Sequence, residues 1–202
     1  MSNEFIFNTR HAEVKPKHPG ENRTGSFRLR CQDDASYCGS AASFVFRLIM
    51  KWILAVFGRA GSPLIADEVE KYVKRLRGSA KPLEVVELKE SKLDDHAQAL
   101  AQEAALFEKK FPRNEYKRVI LSEEGKLMDT VKLADTLQAR FPGNIVFLIG
   151  SAYGIDENLK KTADLLLSLS PLTFTHDHAR IITAEQLYRV QMVMQNHPYH
   201  HR

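Results

Sequence analysis

Cysteine is nearly missing from this sequence: Cys31 and Cys38 are the only two, and everything after Met50 is cysteine-free. Neither a disulfide framework nor a thiolate metal site can hold that larger part together, and a reducing, cytoplasmic setting is expected. Long apolar runs are missing too. The one candidate, Ala41 to Phe57, is interrupted by Arg47 and Lys51 and falls short of the roughly 20 apolar residues that a membrane-spanning helix needs. Apolar residues do not cluster until Phe44, which argues against a secretory signal. The chain has no P-loop, no Gly-x-Gly-x-x-Gly, no His-Glu-x-x-His and no internal repeat, so neither phosphate-cradling loops nor a zinc-binding helix is on offer. No metal and no membrane association are expected.

What is present is enough for one core. Hydrophobic residues make up 44% of the 202 positions and charged residues 27%, which suits a soluble domain with an appendage. The formal net charge of +4 permits a polyanionic partner without demanding one. Residues 1–49 mix charges, Gly, Pro, Ser and Asn without sustained periodicity, and are expected to form a poorly ordered N-terminal extension. At Met50 the pattern changes abruptly, which suggests Met50 as the physiological start and residues 50–202 as the folded domain.

From Lys51 onward, strand-like apolar segments alternate with amphipathic helical ones, the signature of an α/β fold with a mainly parallel sheet flanked by helices. Strands are expected at Trp52–Phe57, Leu83–Leu88, Lys117–Leu121, Asn144–Ile149 and Leu165–Leu169, with Asn144–Ile149, the most apolar, at the sheet centre. Ser62 as N-cap and Pro63 at the first helical position start a helix over Ile65, Val69, Tyr72, Val73 and Leu76, which Gly78 ends. Further helices are expected at Leu93–Phe111, Asp129–Phe141, near Glu157–Ala163, and from about Ala179. In the last of these, Ile182, Leu187, Val190, Val193 and Met194 share one face, which should be buried.

Ligands of open α/β sheets bind beyond the carboxyl ends of the strands. Three segments fall there: Leu121 to Lys126, Gly150 to Gly154, and Ser168 to His176, and together they could line one pocket. Gly150 and Gly154 would admit a bulky ligand close to the backbone, or simply make a tight turn. Ser168, Ser170 and Thr173 could serve a ligand, although hydroxyls at a strand end more often cap neighbouring backbone. Five of the eight histidines (His176, His178, His197, His200, His201) lie near the C-terminus in no metal-binding spacing, so surface or RNA-facing roles suit them better. Glu185 and Arg189 stand four apart, as in an intrahelical ion pair.

The segments Phe147-Leu-Ile-Gly-Ser-Ala-Tyr-Gly154, Leu167-Ser-Leu-Ser-Pro-Leu-Thr-Phe-Thr-His176, Arg180, Ala184-Glu-Gln-Leu-Tyr-Arg189 and Asn196-His-Pro-Tyr-His200 occur in order. In them the chain resembles the RlmH family of SPOUT-class methyltransferases, from about Met50 to Arg202. The resemblance implies a C-terminal trefoil knot, a homodimer, and S-adenosylmethionine as methyl donor. It also implies 23S ribosomal RNA within the ribosome as partner, with N3 of a pseudouridine in helix 69 as the target. By position, Leu121 and Ser122 match the first cofactor loop, and Gly150 and Ser151, with Gly154, the second. Ser170, Pro171, Leu172, Thr173, Phe174 and Thr175 match the third. Arg189, Tyr199 and His200 match residues implicated at the target base. Three positions depart from the family pattern: Ser151 replaces a usual glycine, Thr175 replaces a proline, and Ser122-Glu123-Glu124 replaces a less acidic loop.

On this reading the protein aligns two substrates and helps to remove an imide proton from the base. Arg189 would stabilise the resulting anion, and Tyr199 or His200 would stack on or hydrogen-bond the base, with His200 better suited to proton transfer near neutral pH. A rival from another class is a non-catalytic ribosome-binding or RNA-binding protein of the same fold; a nucleotide-binding oxidoreductase lacks its phosphate fingerprint. Finally, Ile181, Tyr188 and Met192 lie outside the expected buried face of the last helix, and are expected to pack against a two-fold mate.

Overall fold

The most apolar strand does lie at the centre. In this computed structural model, which describes residues 50–197, five strands form one parallel sheet. They are β1 (Trp52–Phe57), β2 (Leu83–Leu88), β3 (Tyr116–Leu127), β4 (Asn144–Ile149) and β5 (Leu165–Ser168), in the order β2-β1-β4-β3-β5. The helices are α1 (Pro63–Leu76), α2 (His96–Lys110), α3 (Thr130–Arg140), α4 (Glu157–Lys161) and α5 (His176–Met194). The expectations for residues 1–49, Tyr199 and His200 lie outside the described residues.

Alternation along the strands sorts the core into two layers. Trp52, Leu54 and Val56 of β1 join Ile145, Phe147 and Ile149 of β4 in a cluster with Val69 and Leu76 of α1, Leu133 and Leu137 of α3, and Leu187 and Val190 of α5. The intervening Ile53, Ala55, Phe57, Val146 and Leu148 meet Phe107 of α2 and Leu159 of α4 on the other face. Both faces of β1 and β4 are therefore covered, which is why these strands read as unbroken apolar runs.

Each helix starts on a capping side chain that accepts a backbone N–H: Ser62 from Ile65, Asp95 from Gln98, Asp129 from Lys132, Asp156 from Asn158 and Leu159, and Thr175 from His178. The caps account for two shifted boundaries. α2 begins at His96 rather than Leu93 because Asp95 is its cap, and α5 begins at His176 rather than near Ala179 because Thr175 supplies one. At the other end of a short helix, α4 stops at Lys161 rather than Ala163.

The buried stripe of α5 is turned from the expected one. Arg180, Thr183, Ala184, Leu187, Val190, Gln191 and Met192 are buried, whereas Ile182, Val193 and Met194 are only partly so. The helix packs against both α1 and α3, so more than one of its faces is covered, and two of the buried polar residues meet specific acceptors there. Arg180 donates to the carbonyls of Phe57 and Gly58, and Gln191 to that of Lys81. The same packing corrects the expectation for Met192. Met192, 7% exposed, is part of its own subunit's core, and Ile181 and Tyr188 pack against that core. Met192 is therefore packed by its own subunit, whereas Ile181 and Tyr188 keep a partly exposed surface.

Candidate functional site

The chemistry of the site begins with a fault in strand pairing. β3 pairs with β5 in register up to Leu121, opposite Leu167; pairing then resumes with Lys126, again opposite Leu167. The four residues between them, Ser122 to Gly125, are pushed out as a bulge that re-aims the strand. Gly125 lets the two strands close up again, since a Cβ there would stand 2.5 Å from the carbonyl carbon of Leu167 and 2.7 Å from its nitrogen. The expected end of the strand at Leu121 thus marks the start of this bulge.

Beyond the carboxyl ends of β3, β4 and β5 lies a cleft of about 410 Å³. It draws on all three expected segments: the bulge at Leu121–Glu124, the turn after β4 at Ile149–Ile155, and the loop after β5 with Ser168–Ser170 and Leu172–Phe174. Its lining includes Leu121, Ser122, Gly150, Ser151, Gly154, Ser170, Leu172, Thr173 and Phe174. Pro171 and Thr175 do not line it. Thr175 instead caps α5 and contacts Nδ1 of His178 through its hydroxyl at 2.8 Å, a gain that a proline could not provide.

The turn after β4 is closed by a pair of backbone hydrogen bonds between Ser151 and Gly154, of 3.0 and 2.9 Å. A Cβ on Gly150 would collide with Ile155 and with the Gly154 carbonyl, so glycine is required there for close approach. Gly154 has φ +91°, the left-handed region that suits glycine. Ser151 is not so constrained: among the described residues only Asn196 is a non-glycine with positive φ, and serine at 151 is unstrained. Its side chain is nonetheless unusual. Ser151 is 6% exposed and its hydroxyl has no hydrogen-bond partner.

The other hydroxyls serve the loops themselves. Ser168 donates to the Ser170 carbonyl, and Ser170 accepts from the Leu172 N–H, each at 2.9 Å. Thr173 donates to the Glu123 carboxylate at 3.2 Å, tying the third wall to the first. A second tie comes from Lys160 of α4, which donates to Glu124 at 3.2 Å and to Glu157 at 2.7 Å. The Glu157 carboxylate, and then Glu124, hold this ammonium above the usual lysine range against the opposing effect of burial. Lys160 and Ile155 carried no signal in the sequence: a lysine three residues after a glutamate reads as an ordinary helical pair. The exposed rim mixes the carboxylates Glu123 and Glu124 with apolar groups: Leu172 is 72% exposed, and Tyr153 stacks on His96 at a centroid distance of 4.0 Å.

The N-terminal end of α5 is anchored next to the cleft. His176 and Ala179 line it. The following Asp177 accepts the Gly61 N–H at 3.1 Å, which fixes the loop after β1 to the same helix end, and Arg180 reaches Glu87 of β2 at 3.4 Å. Arg189, further along α5, does not line the cleft within one chain; it donates to Glu185 through Nε at 3.0 Å and through a terminal nitrogen at 2.6 Å. Among the described residues no three His, Cys, Asp or Glu side chains gather as for a metal ion, and no helix is long and apolar enough to cross a membrane.

Comparison with known proteins follows this geometry. The family profile described as "Predicted SPOUT methyltransferase" matches residues 50–200. "Ribosomal RNA large subunit methyltransferase H" of Synechococcus sp. (strain RCC307) is 41% identical over 148 residues, 73% of this chain and 92% of that protein. The proteins of the same name from Gloeobacter violaceus (strain ATCC 29082 / PCC 7421) and Francisella tularensis subsp. novicida (strain U112) are 35% and 37% identical, each over 75% of this chain and 99% of their own length. With the parallel sheet and the convergence of its three loops, these matches place the chain in the RlmH family of SPOUT methyltransferases.

Proposed function

We propose that the chain methylates large-subunit ribosomal RNA with S-adenosylmethionine as donor, at N3 of a pseudouridine in helix 69 of the 23S RNA, in the cytoplasm and on assembled ribosomes. The observation that carries this reading is the convergence of the three loops on one cleft, in a chain whose relatives are named for ribosomal RNA methylation. The cleft suits an adenosyl group. Leu121, Ile149, Ile155, Leu172 and Phe174 offer apolar surface, Gly150 permits close approach to backbone, and the Ser151 hydroxyl is an unused polar group in the wall.

Bound there, S-adenosylmethionine supplies an electrophilic methyl group. The protein's part is alignment of the two substrates and handling of the base's imide proton. Leu121, Ser122, Gly150, Ser151, Gly154 and Ser170 to Thr175 are assigned to the donor, with Pro171 and Thr175 shaping the loop from outside. Arg189, Tyr199 and His200 are assigned to the RNA base. Since Arg189 stands away from the cleft of its own chain, a homodimer in which it serves the partner's cleft accounts for both its position and its role. The trefoil knot belongs to the same reading.

The test is methyl transfer. Ribosomes lacking the modification, incubated with the protein and labelled donor, should gain label in one pseudouridine of helix 69, as read by nuclease digestion and mass spectrometry. His200→Ala should slow single-turnover transfer. Ribosome binding without donor binding or transfer would instead identify a non-catalytic ribosome-binding protein.

A further inference from the structure

The charge of the cleft runs against that of the chain. The formal net charge is +4, yet the charged side chains lining the cleft, His176 aside, are Glu123, Glu124 and Lys160, two carboxylates against one ammonium. The ammonium is committed. Lys160, whose side chain is 14% exposed, is shared between Glu124 and Glu157, so it neutralises part of each, and it makes no ion pair with Glu123. Glu123 is the remainder. Among the described residues no cation pairs with it; it accepts a hydrogen bond from the uncharged Thr173 hydroxyl, which holds its carboxylate across the cleft between the first and third walls. A polar ligand for these walls is indicated independently by the Ser151 hydroxyl, buried and unpartnered in the same cleft.

A carboxylate left without a cation at a binding site favours a cationic ligand. S-adenosylmethionine and its demethylated product, S-adenosylhomocysteine, share the adenosine, the amino group and the carboxylate, and differ in charge only at sulfur. The donor is a sulfonium cation there, and the product is a neutral thioether. We infer that Glu123 is the residue that sets the preference for donor over product, by electrostatic attraction to the sulfonium. This rests on the proposed use of S-adenosylmethionine and adds to it a specificity determinant. Such an attraction acts on the donor and vanishes with the methyl group, so it eases product release without weakening donor binding.

Glu123→Gln isolates the charge, because the glutamine carbonyl still accepts from Thr173 and keeps the loop tied. Titration calorimetry of the full chain with each compound gives the ratio of the two dissociation constants. In Glu123→Gln the preference for S-adenosylmethionine should fall about three- to tenfold, nearly all of it through weaker donor binding. In wild type, but not in Glu123→Gln, the preference should shrink as salt rises from about 0.05 to about 0.5 M. A ratio unchanged by the substitution overturns the inference, whether both affinities hold or both fall together, the latter showing Glu123 to act on the amino group or on loop structure. Absence of binding of either compound to wild type overturns the donor assignment itself, and with it this inference.

Discussion

The two halves of β3 are built to opposite specifications. From Tyr116 to Ile120 the strand pairs with β4, is closed on its other side by β5 from Val119, and turns Arg118 into the interior with its hydrogen bonds satisfied. That guanidinium, 2% exposed, donates to the Phe111 carbonyl at the end of α2 through two nitrogens, and to Glu108 and Thr162 through the third. From Ser122 to Gly125 the same strand pairs with neither neighbour, carries two carboxylates, and is fixed by side-chain ties to Thr173 and Lys160. The first half is stabilised by many mutually supporting contacts; the second depends on a few replaceable ones. A rigid stem thereby presents an adaptable wall to a ligand.

The contrast can be broken most severely in the stem. Arg118→Ala removes a buried guanidinium and leaves the Phe111 carbonyl without its donor, and should cost about 3 kcal/mol of unfolding free energy by denaturant titration. Next is the junction. Gly125→Ala places a methyl group against the backbone of Leu167 and Ser168, and should cost about 2 kcal/mol while also displacing the wall, so that donor affinity falls with stability. In the second half the two effects should separate. Lys160→Ala leaves Glu124 as a second unpaired carboxylate and should change stability by less than about 1 kcal/mol, yet raise the preference for S-adenosylmethionine over S-adenosylhomocysteine several-fold by calorimetry.

The smallest effect is one of pH, again in the stem. Burial alone would raise the Asp164 carboxyl, but the Arg118 backbone N–H at 2.9 Å and Lys117 at 3.0 Å hold it below its ordinary 3.8. A carboxyl depressed in the folded state adds stability above its ordinary pKa and loses it as pH falls through the folded value. Between about pH 5 and about pH 2 the wild-type melting temperature should therefore fall more steeply than that of Asp164→Asn. Parallel profiles would remove Asp164 from the account of the stem.

The same division decides what could be read in the sequence. The stem is legible from the apolar run Val119-Ile120-Leu121, and β4, buried on both faces, is legible as the central strand from its unbroken apolar run. The three cleft segments follow from their place after strands. The bulge does not, because its cause is a backbone approach between Gly125 and Leu167, forty-odd residues apart, and nothing in Ser-Glu-Glu-Gly marks the partner. Lys160 escaped notice for the same reason: its tie to Glu124 is tertiary, while its local pattern suggests a pair with Glu157. The buried stripe of α5 departs from its apolar face because Arg180 and Gln191 have buried acceptors on other elements, which a helical pattern does not show. For the same reason the sequence places Met192 outside the buried face, although it belongs to the core.

Amide hydrogen exchange with and without S-adenosylmethionine compares the two halves directly. Saturating donor should slow exchange at Leu121–Lys126, Gly150–Gly154 and Ser168–Phe174, and leave Tyr116–Ile120, already closed by both neighbours, unchanged. Protection confined to another surface, or none at concentrations that saturate wild-type methyl transfer, would contradict the assignment of this cleft to the donor.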